Sequence, residues 1–283
     1  MSDLGPLGGD RFVNTNYWGY SSYGYAINKF GQVAGVSQNK ESWNHAFFID
    51  PKWPTPGLLA FYPFSGNAQD VSGHAYHGQV FGATLTPGYQ GQAYSFNGTD
   101  QNPHYIKAPL DISPSQHWNV TLGAWVKAAA DFRDSIVVGS AGYFNRGIGI
   151  SGWPFSPSWS AYFGEDDGHV LMGDPVVPGT WVFLAASYDQ TAQTLKFYVN
   201  DKVYTKTVWS LSMWDGDPYL GIGAYLETST SAPDVVNSFF IGTIDNVFVY
   251  HGVLSDAQIA AIRGNGVLPR GRITSILELL LLY

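Results

Sequence analysis

Short β-type runs separated by turn signals constrain the fold of this chain more than any other feature of its sequence. Glycine, proline, asparagine and aspartate punctuate runs that are rich in branched and aromatic residues. The 33 glycines and the 16% aromatic share stand beside only 13% charged residues, a balance typical of packed sheets joined by tight turns. The sequence therefore predicts an all-β fold, and the spacing suits an antiparallel sandwich. The predicted strands cover residues 58–63, 91–96, 121–127, 135–138, 147–150, 181–188, 194–199, 219–222 and 239–250.

Composition narrows the classes of function. A net charge of −8 offers no basic surface for phosphate neutralisation, which argues against nucleic acid as a partner. With no cysteine, disulfides and thiolate metal sites are impossible, so calcium is the metal to consider first. No apolar run reaches the length of about 18 residues that a membrane-spanning helix needs. The N-terminus lacks the pattern of an export signal, so an extracellular location requires that a signal has been removed.

The sequence divides into four regions that differ in composition and residue pattern. Residues 51–56 form a proline-rich linker, because prolines at this spacing favour extended, poorly pairing backbone. Before it, residues 1–50 predict a small β unit. Its segments 3–9, 25–35 and 45–47 resemble one copy of the extracellular HAF repeat. A unit of this size cannot bury both its faces, so we expect it to pack onto the next domain or onto another chain.

The predicted sandwich spans residues 57–264 and closes with a short helix. Ser255 and Gln258 fit a capping box, Leu254 and Ile259 fit a hydrophobic staple, and Gly264 is the expected end of the helix. After it, residues 265–283 form a tail whose last part is leucine-rich and too short to span a membrane. Such a tail docks on the protein itself, is a non-native appendage, or joins copies into a homo-oligomer.

Residues 57–263 resemble the LamG-like, concanavalin A-like jelly-roll family. The resemblance rests on four ordered blocks, and the short helix follows the last of them. It implies an all-β concanavalin A-like antiparallel β-sandwich with a small N-terminal β unit and a short C-terminal helix. The blocks are residues 58–98, 120–126, 179–200 and 242–250.

The family often places a structural calcium ion between its opening segment and its last strand. Asn67, Asp70 and Ser72 cluster oxygen ligands in one turn-forming segment, and the resemblance supports Asp70 with Asp245 as ligands. His74 would contribute only its backbone oxygen. The alternative is that Asn67 and Asp70 form Asx turns and that Asp245 accepts backbone hydrogen bonds.

The densest acidic run is Glu165, Asp166 and Asp167. Consecutive strand residues alternate faces, whereas a retaining glycosidase needs two carboxyl groups about 5 Å apart on one face. We expect a solvated turn, with a second calcium site or a sugar-contacting loop as alternatives. No nucleophile elbow or phosphate-binding loop occurs in the sequence, so we predict that the chain is not an enzyme.

Aromatic residues provide candidate ligand contacts. Trp153, Phe155 and Trp159 lie in a predicted loop, where they form either a sugar-stacking platform or an inward-folded aromatic cluster. Taken together, the sequence predicts a noncatalytic, extracellular module that binds a carbohydrate or another cell-surface or matrix ligand, with a structural calcium. The alternative is an assembly protein that self-associates through its N-terminal unit and its apolar tail.

Overall fold

A computed structural model describes three short strands near the N-terminus, by their backbone alone, and most of residues 57–266. Within the latter range it leaves out residues 131–132, 143–145, 153–154, 164–169, 209–216 and 228–234, and the side chain of Val235. Several predicted features therefore lie outside the described residues. They are the linker 51–56, the apolar tail from 267 onward, Trp153, Glu165, Asp166 and Asp167.

The N-terminal strands form a three-stranded antiparallel sheet in the order β1-β2-β3. Strand β1 covers Ser22–Ile27, β2 covers Val33–Gln38 and β3 covers Asn44–Ile49. The small β unit predicted before the linker is thus present as three paired strands. Its likeness to a HAF repeat stays a prediction.

The rest of the described chain is an antiparallel β-sandwich, as predicted. One sheet has seven strands in the order β13-β12-β11-β10-β17-β8-β5. The other has eight, in the order β16-β15-β14-β9-β20-β7-β6, with β4 paired to β20. Strands β18 and β19 form a separate hairpin. The bounds are β4 Leu58–Tyr62, β5 Gln79–Phe81, β6 Thr84–Pro87, β7 Gln92–Phe96, β8 Tyr105–Ala108, β9 Val120–Ala128, β10 Ser135–Ala141, β11 Arg146–Ser151, β12 Ser158–Phe163, β13 Val170–Pro175, β14 Val182–Asp189, β15 Thr194–Val199, β16 Lys202–Thr207, β17 Asp217–Ile222, β18 Tyr225–Glu227, β19 Val235–Asn237 and β20 Gly242–His251.

The core lies between the two sheets, and strand periodicity decides which side chains enter it. In β9, Val120, Leu122, Ala124 and Val126 are all fully buried and belong to one hydrophobic cluster. Their even spacing places them on a single face of the strand. Alternate residues of β14, the strand paired with β9, are also buried and belong to this hydrophobic cluster. The core is therefore built by inward-facing residues of both sheets, as in other sandwiches.

The predicted helix is present as α1, Asp256–Asn265, and its capping box is confirmed. The Ser255 hydroxyl accepts a hydrogen bond from the Gln258 N–H, and the Gln258 side chain accepts one from the Ser255 N–H at 2.9 Å. The predicted end at Gly264 is wrong. The last helical residue is Asn265, and the C-cap is Gly266, whose φ of 81° suits glycine and whose N–H donates to the Ile262 carbonyl.

All nine predicted strands exist, but several others escaped sequence analysis. Strands β5 and β6 have only three and four residues, which is too short a run for an alternating pattern to show. Strand β12 was predicted as part of a loop. Its serines and aromatics instead form a strand that pairs along its whole length with β11.

Candidate functional site

An open cleft of about 500 Å³ lies at one end of the sandwich, and we call it the end cleft. Three segments line it: the β7–β8 loop, the end of the β9–β10 loop and the approach to β20. Its volume falls within the range of about 300–1,000 Å³ typical of small-ligand sites. The lining residues are Gly98, Thr99, Asp100, Gln101, Arg133, Asp134, Ser238, Phe239 and Ile241.

The β7–β8 loop is held as a tight turn. Thr99 and Asn102 exchange backbone hydrogen bonds of 3.0 and 3.1 Å, and the turn projects Asp100 and Gln101 into solvent. The Asn102 amide nitrogen also lies 3.1 Å from Nε2 of the buried His104. Gly98 is required at the base, because a Cβ there would collide with the backbone nitrogen of His104. This wall of the cleft is therefore preorganised.

The opposite wall is held in a strained backbone conformation. Ser238 has a φ of 51°, which non-glycine residues rarely adopt. Its carbonyl accepts a hydrogen bond of 3.0 Å from the N–H of Ile136, and Phe239 forms a parallel bridge with Ile136. The half-buried Phe239 ring packs against a small hydrophobic cluster. Strain of this kind is often found where a backbone contributes to binding.

The chemistry of the end cleft is mixed and polar. Asp100 and Asp134 supply hydrogen-bond acceptors, Arg133 supplies donors, and Phe239 adds an apolar surface. Both carboxylates are exposed, whereas the general acid of a glycosidase needs a desolvating environment. The arrangement suits recognition of a hydroxyl-rich ligand. Sequence analysis missed these residues because they meet only when three loops converge.

The predicted calcium ligand Asp70 is buried, and hydrogen-bond donors surround its carboxylate. Oδ1 accepts from the N–H groups of Phe61 at 3.0 Å and Ser72 at 2.8 Å. Oδ2 accepts from the Ser72 hydroxyl at 2.8 Å and the Tyr76 N–H at 3.1 Å. Asn67 makes an Asx turn by accepting from the Gln69 N–H. These contacts fit the alternative interpretation of the segment, in which Asp70 accepts hydrogen bonds from nearby backbone N–H groups.

Asp245, the other predicted ligand, is fully buried in β20, whereas Asp70 lies in the β4–β5 connection. Its Oδ2 accepts a 3.0 Å hydrogen bond from the Gln90 N–H, but its Oδ1 has no partner. Burial raises the pKa of Asp245 to about 6, although the backbone N–H groups of Gln90, Asn246 and Tyr89 near the carboxylate oppose the rise. The described hydrogen bonds give Asp245 and Asp70 no shared partner. In the described part of the chain, no three His, Cys, Asp or Glu side chains are placed to hold one metal ion.

The predicted aromatic platform is divided. Phe155 is 95% exposed at the β11–β12 turn and is open to a ligand. The prediction is wrong for Trp159, which is 1% exposed and belongs to the core, because it lies on the inward face of β12. Trp153 falls outside the described residues. Of the three proposed rings, Phe155 is therefore the one that the described residues show to be accessible.

A different aromatic group lies on the outer face of the eight-stranded sheet. Tyr89 stacks on Trp125 with ring centroids 3.6 Å apart, and Trp181 meets Tyr89 edge-on at 6.0 Å. The Lys127 ammonium lies 4.9 Å from the Trp181 ring centroid. Tyr89 remains 40% exposed, so this group presents a second aromatic surface. Sequence analysis missed it because its members come from the β6–β7 turn, strand β9 and the residue before β14.

Comparison with known proteins gives the wider context. The family model for the Concanavalin A-like lectin/glucanases superfamily matches residues 74–260. Domain 4 of AbnA, a GH43 extracellular arabinanase from Geobacillus stearothermophilus solved with arabinotriose, is similar with a TM-score of 0.56 and 20% identity. That match covers 74% of this chain and 99% of the arabinanase domain.

Botulinum neurotoxin structures are also similar. One is a structure of the type C toxin, whose entry into cells depends on interaction with two ganglioside molecules. It matches with a TM-score of 0.54 and 10% identity, and the match covers 75% of this chain and 52% of that chain. The binding domain of botulinum neurotoxin serotype D matches with a TM-score of 0.53 and 13% identity. This match covers 74% of this chain and 52% of that chain. This chain thus spans about half the length of the toxin domains. At these identities the likeness shows the fold alone, and no curated protein matches the chain.

Proposed function

Because the chain belongs to the Concanavalin A-like lectin/glucanases superfamily, we propose that it is a noncatalytic binding module that takes a glycan in the end cleft. The single observation that carries this proposal is the cleft itself, with its volume of about 500 Å³ and its mixed polar and aromatic lining. Glycans are recognised by just such a combination of hydrogen bonds to hydroxyl groups and apolar contact with ring faces.

The similar structures support the choice of ligand class. The arabinanase domain was solved with arabinotriose, and the type C neurotoxin interacts with gangliosides. Both ligands carry sugars, although the fold alone does not fix a function. The exposure of Asp100 and Asp134 favours binding over hydrolysis.

An extracellular location and a structural calcium ion belong to the same proposal. The location is supported by the arabinanase domain, which comes from an extracellular enzyme. Calcium is supported by the unpartnered Oδ1 of Asp245 and is opposed by the backbone N–H groups that already donate to the carboxylate of Asp70. Among the described residues, no helix has both the length and the apolar character needed to cross a membrane.

A glycan array followed by calorimetric titration tests the proposal. Arabinotriose is included as one probe, and each hit is titrated against Arg133→Gln and Asp100→Asn. Each substitution removes a charged group that can form hydrogen bonds with sugar hydroxyls, so we expect affinity to fall about tenfold or more.

Asp201→Asn is the matched control, because Asp201 is an exposed carboxylate in the β15–β16 turn and does not line the end cleft. It should bind as the wild type does. An array without hits, or a hit whose affinity neither cleft variant changes, would refute binding at the end cleft.

A further inference from the structure

Two histidines, 134 residues apart in sequence, meet on the sandwich outside the end cleft. The Nδ1 atoms of His117 and His251 lie 3.0 Å apart, and their ring centroids are separated by 5.2 Å. His117 is half-buried and His251 is exposed, so solvent and small ions reach the pair. Neither residue lines the end cleft.

Both histidines are fixed by rigid backbone. His117 closes a turn in the β8–β9 connection, where its N–H donates to the Ser113 carbonyl at 2.9 Å. The guanidinium of the buried Arg146 donates to the carbonyl of His117 and to that of Trp118. His251 ends β20, and its N–H donates to the Gly57 carbonyl at 2.6 Å. The positions of the two rings therefore do not depend on loose loops.

The separation of the two nitrogens fits a shared metal ion. With zinc–nitrogen bonds of about 2.0–2.1 Å, two ligands of a tetrahedral shell lie about 3.3 Å apart. A small rotation of either ring closes the difference. A single N–H···N hydrogen bond also accounts for the contact, and the experiment below separates the two cases.

The surroundings keep His117 suitable as a ligand. Burial lowers the pKa of His117, and the nearby His251 and Arg146 lower it further, while the Asp111 carboxylate opposes the change. The imidazole is thus neutral at neutral pH, which is the form that binds metals. The positive charge of Arg146 disfavours a cation, but the Asp111 carboxylate compensates in part.

We propose that His117 and His251 form a two-histidine site for a late transition-metal ion, zinc(II) or copper(II), whose remaining positions water fills. Imidazole nitrogens favour these ions over calcium, so the site differs in chemistry from the predicted calcium site. An ion bound here joins the β8–β9 connection to the end of β20. It acts as a clip between segments distant in sequence, with an affinity below that of four-ligand structural sites.

Calorimetry with zinc and copper(II), and melting curves with and without each ion, test the site in the metal-free protein. We expect saturable binding with one ion per chain at this site and a higher melting temperature. His251→Ala is the main variant, because His251 is exposed and its loss should therefore leave the fold intact. It should weaken binding at least tenfold, and His117→Gln should do the same. His74→Gln, which removes an exposed histidine outside the pair, is the matched control and should bind normally.

Two results would overturn the proposal. One is the absence of saturable binding by either ion. The other is binding that survives His251→Ala unchanged, which would mean that the ion sits elsewhere. If His251→Ala lowers the melting temperature equally with and without metal and no binding heat is seen, the contact is only a hydrogen bond.

Discussion

Replacing Asp245 by asparagine tests the energetics of the only buried carboxylate oxygen without a partner among the described residues. The substitution keeps the shape of the side chain and leaves an oxygen to accept the Gln90 N–H. It removes a charge from a site with 0% exposure. Asparagine should therefore be tolerated, and at neutral pH it should be favoured.

The magnitude follows from the pKa. Its rise from 3.8 to about 6 means that the folded state binds a proton more tightly than the unfolded chain does. Ionised Asp245 therefore costs up to about 3 kcal/mol above pH 6, and this cost fades between pH 6 and pH 4. The unpaired NH₂ group of asparagine costs about 1–2 kcal/mol, which offsets part of the gain from removing the charge. We expect Asp245→Asn to be about 1–2 kcal/mol more stable than the wild type at pH 7.

Urea denaturation at several pH values between 4 and 7, in the presence of EDTA, measures this difference. The advantage of the variant should shrink as the pH falls through 6 toward 4, and Asp201→Asn should show no such dependence. Repeating the series with calcium adds a second test, because a calcium ion held by Asp245 would reverse the order. A variant that is less stable at pH 7 in EDTA, with curves parallel across pH, would refute the reasoning.

Three further substitutions test the packing. Arg146→Met leaves the carbonyls of Ile112, His117 and Trp118 without their buried donor. It should lower the free energy of unfolding by about 3 kcal/mol or more, as urea denaturation will show. Gly223→Ala places a Cβ against the ring of Phe96 at a φ of 85°, and thermal melting should reveal a loss of about 2–4 kcal/mol. Ser255→Ala removes the capping box of α1 and should cost about 1 kcal/mol, with helix amides at that end exchanging faster.

Local patterns predicted the elements that depend on local chemistry. The capping box at Ser255 and Gln258 follows from short-range hydrogen bonding, and it is present. The sequence left open whether Trp159 faces inward, because strand β12 carries serines where a strand usually shows branched residues. Its assignment depends on pairing with β11 and β13, which is not visible in the segment itself.

The end cleft lay beyond sequence analysis for the same reason. Asp100, Arg133 and Ser238 belong to three loops that only the sheet order brings together. The positive φ of Ser238 gives no signal in the sequence, since serine rarely adopts it. Conversely, Asp70 and Asn67 drew attention as oxygen clusters, and their oxygens prove to be engaged by nearby N–H groups.

The most direct test of the central claim is to map a bound glycan by NMR, using the tightest-binding hit of the array and the amide resonances of the isotope-labelled protein. We predict that the shifts concentrate at Thr99, Asp100, Arg133 and Ser238, around the end cleft. Shifts confined to the Tyr89 and Trp181 surface or to the Phe155 turn, with the cleft resonances unmoved, would contradict the account.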